Sequence, residues 1–129
     1  MNNLKVVSTD DAPKAVGPYS QAVVYNDCVF LSGQIGLCPE TMEFAGEDFS
    51  SQAHQIWKNI SNVLTSSGSS MNEIIKINVF ITDMDNFPVL NEHMKEVFND
   101  PYPARSTVEV SGLPLGALLE IDVVAGITK

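Results

Sequence analysis

Positive charge is what this sequence has least of: 7 Lys and Arg stand against 16 Asp and Glu in 129 residues, a formal net charge of −9. That balance repels polyanions, so nucleic acid is a disfavoured partner, although one arginine with backbone donors can still hold a small anion by local complementarity. Cysteine is equally scarce. Cys28 and Cys38 form no Cys-x-x-Cys pair and have no companion histidine, which leaves neither a zinc framework nor a secreted disulfide pattern, so both are expected to be reduced thiols. No apolar run approaches the roughly 18 to 20 residues of a membrane span. The first residues, Met-Asn-Asn-Leu-Lys-Val-Val-Ser, have neither the apolar segment of a secretory signal nor the Arg-rich character of a transit peptide, and the expected location is the cytoplasm.

The usual catalytic signatures are missing as well. There is no Gly-x-Ser-x-Gly elbow, and Ser32-Gly33-Gln34-Ile35-Gly36 lacks the third glycine of a dinucleotide loop and the lysine of a P-loop, which argues against covalent acyl chemistry and nucleotide cofactors. The two histidines, His54 and His93, fall on what read as the polar sides of two helices. They are expected to be solvated, and with no carboxylate at ligand spacing beside them a metal site is not expected.

What is present is enough apolar matter for a core, 44% of residues, with dispersed turn formers and no internal repeat, so residues 1–129 read as one domain. Counting Leu4 to Ser8 as a first strand, two β-prone runs between Gln21 and Gly33 flank Asn26-Asp27, a pair that tolerates the positive φ of a hairpin turn. Leu37 to Glu47 has no period and reads as loop. Between Asp48 and Ser67, Phe49, Ala53, Ile56, Trp57, Ile60, Val63 and Leu64 recur at three and four residues, a helical stripe that Gly68 can end. Ile74 to Thr82 alternates as a strand, with Ile75, Ile77, Val79 and Ile81 on one apolar face. Asp85 precedes a second stripe, Phe87, Leu90, Met94, Val97 and Phe98, stopped by Asn99-Asp100-Pro101; strands over Arg105 to Val110 and Leu118 to Ala125 follow. The fold class is α+β, about six strands with two helices on one face. Two helices cannot cover both faces, and Val23, Phe80, Leu118 and Val124 read as pointing away from them, so a homo-oligomer that buries the bare faces is expected.

Pro103-Ala104-Arg105-Ser106-Thr107-Val108-Glu109-Val110 places Arg105, Thr107 and Glu109 on one side of a strand, and in the next strand Glu120 and Asp122 alternate against Leu119, Ile121 and Val123. If the last two strands are antiparallel neighbours, Arg105 and Glu120 share a face. Spacing alone favours the plainer reading of that pair, a surface ion pair worth little.

These stretches nevertheless resemble the Rid family, also called YjgF and formerly endoribonuclease L-PSP. The resemblance runs over essentially the whole chain. Its motifs are Gly17-Pro18-Tyr19-Ser20-Gln21-Ala22, Leu31-Ser32-Gly33-Gln34-Ile35-Gly36, Pro103-Ala104-Arg105-Ser106, Val108-Glu109-Val110, Leu113-Pro114 and Glu120-Ile121. It implies a chorismate-mutase-like mixed sheet, a homotrimer with sites in the subunit clefts, no cofactor, and hydrolysis of 2-iminobutanoate or 2-iminopropanoate to a 2-oxo acid and ammonia. By motif it implies that Arg105 grips the carboxylate and Glu120 holds the attacking water. Tyr19, Ser32 and Gly33 would line the pocket, with Asn91 a further pocket position and Thr107 contributing a backbone contact. Thr107 departs from the several members that have cysteine there. Two rival readings remain: a single-strand endoribonuclease or translation inhibitor, which the acidic charge opposes, and a non-enzymatic module that binds small carboxylates or chaperones another protein.

Overall fold

The computed structural model describes residues 4–128. The hairpin between the first two long β-prone runs forms as its turn residues require: β2 (Ala22–Tyr25) and β3 (Cys28–Leu31) pair antiparallel through Tyr25 and Cys28, and Asn26 takes φ 54°. β1 (Leu4–Val7) adds to the outer side of β2. Helix α1 (Phe49–Ser66) begins at Asp48, whose carboxylate accepts the Ser51 N–H at 3.0 Å, and stops before Gly68, which adopts φ 83°. All seven residues of its predicted stripe are buried.

β4 (Ile74–Ile81), α2 (Phe87–Val97) and β5 (Ala104–Glu109) form a parallel strand–helix–strand unit, and β6 (Leu119–Gly126) closes the chain. The sheet order is β1-β2-β3-β6-β4-β5, so the final strand lies in the middle, antiparallel to both β3 and β4. β5 is therefore an edge strand with β4 between it and β6. The expected adjacency of the last two strands does not occur, because a parallel crossover through α2 puts β5 on the far side of β4.

Three local expectations also change. Ile75 is 52% exposed instead of continuing the apolar face, because a register shift between Ile74 and Lys76 returns the buried position to Ile74 and then Ile77. Asp85 does not cap α2. It lies in a short 3-10 turn (Met84–Asn86) capped by the Asp83 side chain, which accepts from Asp85 N at 2.9 Å. Leu118 precedes β6 and packs against the core rather than lying on the bare face.

Both helices cover one face of the sheet, and their stripes meet Val29, Leu31, Ile77, Val79, Ile81, Leu119, Ile121 and Val123 in one core. The other face stays uncovered. One row runs Val6, Val23, Phe30, Val124 across four strands; Val6 is 64% and Phe30 46% exposed. Val23, Phe80 and Val124 lie half-buried on this face, as the alternation predicts. Among the described residues no helix is long and apolar enough to cross a membrane.

Ile60 sits at the centre of the helix–sheet contact with no exposed surface. Ile60→Ala should therefore cost about 2–5 kcal/mol, the sum of lost transfer energy and cavity, read as a lower urea midpoint at unchanged m-value.

Candidate functional site

The two-residue period of β structure decides which side chains can meet. Arg105 pairs across the ladder with Ile77, which pairs with Val123, and both of those are core residues on the helix-covered side. Glu120 pairs with Phe80, which pairs with Val108, on the bare side. Arg105 and Glu120 of one chain thus point to opposite faces of the sheet, with a strand between them. The expected shared face is corrected, and so is the plainer reading of the two as a surface ion pair.

On the helix side Arg105 is half-buried at the sheet edge. Its Nη1 donates to Asn91 Oδ1 at 2.8 Å, and its guanidinium carbon lies 5.4 Å from the centroid of the Phe87 ring. Asn91 and Phe87 are one turn apart on α2, so the helix holds the guanidinium by one polar and one π contact. Among the described residues no carboxylate forms an ion pair with it. Asn91 and Arg105, with Met94, Tyr102 and Pro103, line a cavity of about 480 Å³. Thr107 follows on the same face, its buried Oγ1 without a hydrogen-bond partner, while Glu109 is occupied in accepting from Met84 N at 2.7 Å.

On the bare side Glu120 lines a cleft of about 610 Å³ together with Tyr19, Ser32, Gly33, Ile35 and Leu115. An isolated bridge between Gln34 and Ile121 sets this wall, with Gln34 N donating to Ile121 O at 2.8 Å and Ile121 N to Gln34 O at 3.0 Å. The bridge brings Gly33 so close to Glu120 that a Cβ there would lie 2.7 Å from the carboxyl carbon. A side chain at this position would therefore displace the Glu120 carboxyl group. Ser32 Oγ donates to Ser20 O at 2.6 Å, and the Tyr19 hydroxyl accepts from Val16 N at 3.3 Å. Burial, and secondarily the negative charge of Asp122, raise the Glu120 carboxyl above its ordinary 4.5.

The structure therefore gathers Tyr19, Ser32, Gly33 and Glu120 into one cleft, and Arg105 and Asn91 into another, with Thr107 next along the same face. Sequence reasoning missed two positioning residues. Buried Gln21 accepts from Thr9 N at 2.7 Å and donates to Pro13 O at 2.8 Å, folding the segment before β2 over the first cleft; Gln34 is the bridge residue. Both are uncharged amides flanked by apolar or small residues at strand ends, the one signal available. His93 is a further correction, being 4% exposed rather than solvated. Its place three residues after Leu90 and beside Met94 puts it on the buried stripe of α2, where α1 covers it. Burial lowers its pKa from 6.5, the nearby His54 adds to that, and Glu96 opposes it. Glu96 also stands 3.7 Å from His54, so the expected absence of a carboxylate beside the histidines does not hold in space.

Fold and clefts define a small α+β protein with two ligand-sized hollows, one walled by a held arginine and one by a desolvated carboxyl group. A family model described as Endoribonuclease L-PSP matches residues 9–127. A curated 2-iminobutanoate/2-iminopropanoate deaminase of Dermatophagoides farinae is 43% identical over 122 residues, covering 95% of each chain. Among solved structures, RidA from the Antarctic bacterium Psychrobacter sp. PAMC 21119 is 45% identical with TM-score 0.92, covering 95% of this chain and 99% of that one. E. coli TdcF with bound serine is 40% identical with TM-score 0.90, covering 96% and 99%. The chain belongs to the endoribonuclease L-PSP (YjgF/Rid) family.

Because two causes raise Glu120, they can be separated. Followed by carboxyl-carbon NMR, Glu120 should titrate above 4.5, and Asp122→Asn should move its midpoint back towards 4.5 without reaching it, since burial remains. A raised carboxyl pKa disfavours the charged form in the folded chain. Glu120 thus subtracts stability as pH rises from the unfolded value through the folded one, and Asp122→Asn narrows that window.

Proposed function

We propose that this protein hydrolyses 2-imino acids such as 2-iminobutanoate and 2-iminopropanoate to 2-oxo acids and ammonia, at sites completed between copies of the chain. The observation that carries this reading is the Arg105 guanidinium, held by Asn91 and Phe87 yet without an acidic partner among the described residues, at a cavity wall. Such a group suits a carboxylate, which accepts two parallel charge-assisted hydrogen bonds from its planar fork. The deaminase name of a relative at 43% identity and the serine bound by TdcF, a small amino acid, support the same class of guest.

Chemistry at the imine carbon needs a second group. Glu120 in its charged form accepts a proton from water as the oxygen adds to the carbon of the protonated C=N group, giving a carbinolamine, and then returns that proton to the departing amine. The collapse of that adduct re-forms C=O, expels ammonia and leaves the 2-oxo acid. The raised Glu120 pKa favours this role, because a base whose pKa lies nearer the working pH takes a proton more readily. The protonated imine is itself electrophilic, so the reaction calls for no cofactor.

Opposite sheet faces forbid Arg105 and Glu120 of one chain from gripping one three- or four-carbon molecule. A neighbouring copy resolves this. When bare faces pack together, the edge strand β5 of one chain can be brought against the Tyr19–Ser32–Glu120 cleft of the next, and a homotrimer built this way buries Val6, Phe30 and Val108, which are 64%, 46% and 45% exposed in the single chain. Tyr19, Ser32 and Gly33 then wall the guest on one side, and Arg105, Asn91 and the Thr107 backbone on the other.

Two measurements test the proposal. Arg105→Ala and Glu120→Gln should each reduce ammonia release from freshly generated 2-iminobutanoate to the uncatalysed rate, yet co-refolding them in equal amounts should restore roughly a quarter of wild-type activity, since random assortment leaves that share of sites with both groups. Activity of the single variants equal to wild type sinks the chemistry; no recovery in the mixture sinks the shared site. Light scattering at micromolar concentration should give three times the chain mass.

A further inference from the structure

The two clefts leave unused a cluster of chemistry-bearing side chains at the seam between α1 and α2. His54 on α1 meets His93 and Glu96 on α2, and one ligand-capable atom from each lies within 4.8 Å of the other two. His54 Nε2 is 3.7 Å from Glu96 Oε2, and the two imidazole rings meet edge to face with centroids 4.6 Å apart. The spacing is a helical one: Glu96 follows His93 by three residues and so shares its side of α2. On α1, Ser50 precedes His54 by one turn, and its Oγ lies 3.2 Å from His93 Nε2.

A bare ion pair does not account for this arrangement. The His54 and Glu96 side chains are 63% and 66% exposed, so their pairing alone is worth little. His93 is the informative member: it is 4% exposed, and its Nδ1 is closed to solvent with no hydrogen-bond partner. In the tautomer in which Nε2 donates to Ser50 Oγ, the lone pair rests on Nδ1. Proteins orient metal-binding histidines in this way, one ring nitrogen hydrogen-bonded to a second group and the other left for the ion.

We infer that His54, His93 and Glu96 form a binding site for a divalent first-row transition ion of the zinc type, held by two imidazole nitrogens and one carboxylate oxygen with a further position left to water. Mixed nitrogen and oxygen donors suit Zn²⁺, whereas Mg²⁺ and Ca²⁺ seek oxygen alone. Metal–ligand distances of about 2.0–2.2 Å in a tetrahedron set ligand atoms about 3.4 Å apart. The donors, now up to 4.8 Å apart, must therefore draw in, which the exposed His54 and Glu96 side chains can do by rotation about a fixed His93. An ion there ties α1 to α2 two residues from Asn91, the side chain that holds Arg105. The site thus fastens the helix that carries the arginine's support, independently of whether the imine chemistry is correct.

Isothermal titration of the untagged, chelator-stripped protein with ZnCl₂ should show one ion per chain with micromolar or tighter affinity, and no binding of MgCl₂ under the same conditions. His54→Gln and Glu96→Gln, both at exposed positions, should each weaken zinc by about tenfold or more, while Cys28→Ser with Cys38→Ser should leave it unchanged. Zinc at roughly a hundredfold above Kd should raise the wild-type Tm by about 10 °C, and the metal-free variants should melt with the metal-free wild type but gain almost nothing from the ion. One-to-one binding that survives both substitutions, or no binding at about 100 μM zinc, overturns the assignment.

Discussion

The position of β4, hydrogen-bonded to β5 on one side and β6 on the other, governs the rest of the molecule. Because cross-strand partners share a face, the rows Arg105–Ile77–Val123 and Val108–Phe80–Glu120 are committed to opposite sides of the sheet. A one-residue slip of either strand would turn its whole side-chain set over and drive a charge into the core, so the register is strongly determined. The division of the chemistry into two hollows follows from that determination. An acid and a cation that would quench each other as neighbours are instead held apart, each presented to whatever occupies its own hollow.

Each group is kept in place by uncharged neighbours. Arg105 rests on an amide oxygen and an aromatic face, which fix its direction while leaving its full charge uncompensated. The Glu120 carboxyl group occupies the space that a side chain at position 33 would take, and a two-bond backbone bridge between Gln34 and Ile121 fixes the strand that carries it. Buried amides do much of this positioning: Gln21, Gln52 and Asn59 are all less than a tenth exposed, and each fixes a loop to a strand or helix through its side chain. Asn59 donates to Leu37 O at 2.9 Å, and the Gln52 side chain accepts from Leu118 N at 2.9 Å, so α1 holds both the loop after β3 and the start of β6.

Elements dominated by one strong period were legible in the sequence. The α1 stripe, the hairpin at Asn26 and the order of eight elements all follow from local apolar spacing and turn chemistry. What period cannot carry is strand order. Nothing in Arg105–Val110 or Leu118–Ala125 says which neighbour each will choose, and the parallel crossover through α2 separated two strands that sequence proximity suggested would pair. The site residues themselves came from motif likeness rather than from pattern, and so arrived without their geometry. His93 was misread for a different reason: a histidine at the margin of a stripe is polar by type but buried by position, and only the packing of α1 decides between the two.

Thr107 gives the arginine-bearing face of the sheet a property of its own. The residue two places after Arg105 is a half-buried threonine, paired in register with Val79. A thiolate at such a position can pass to sulfenic and sulfinic acid, whereas a secondary alcohol has no equivalent ladder to climb. Peroxide and electrophiles that would disable a sulfur-lined wall therefore find nothing to react with at this position.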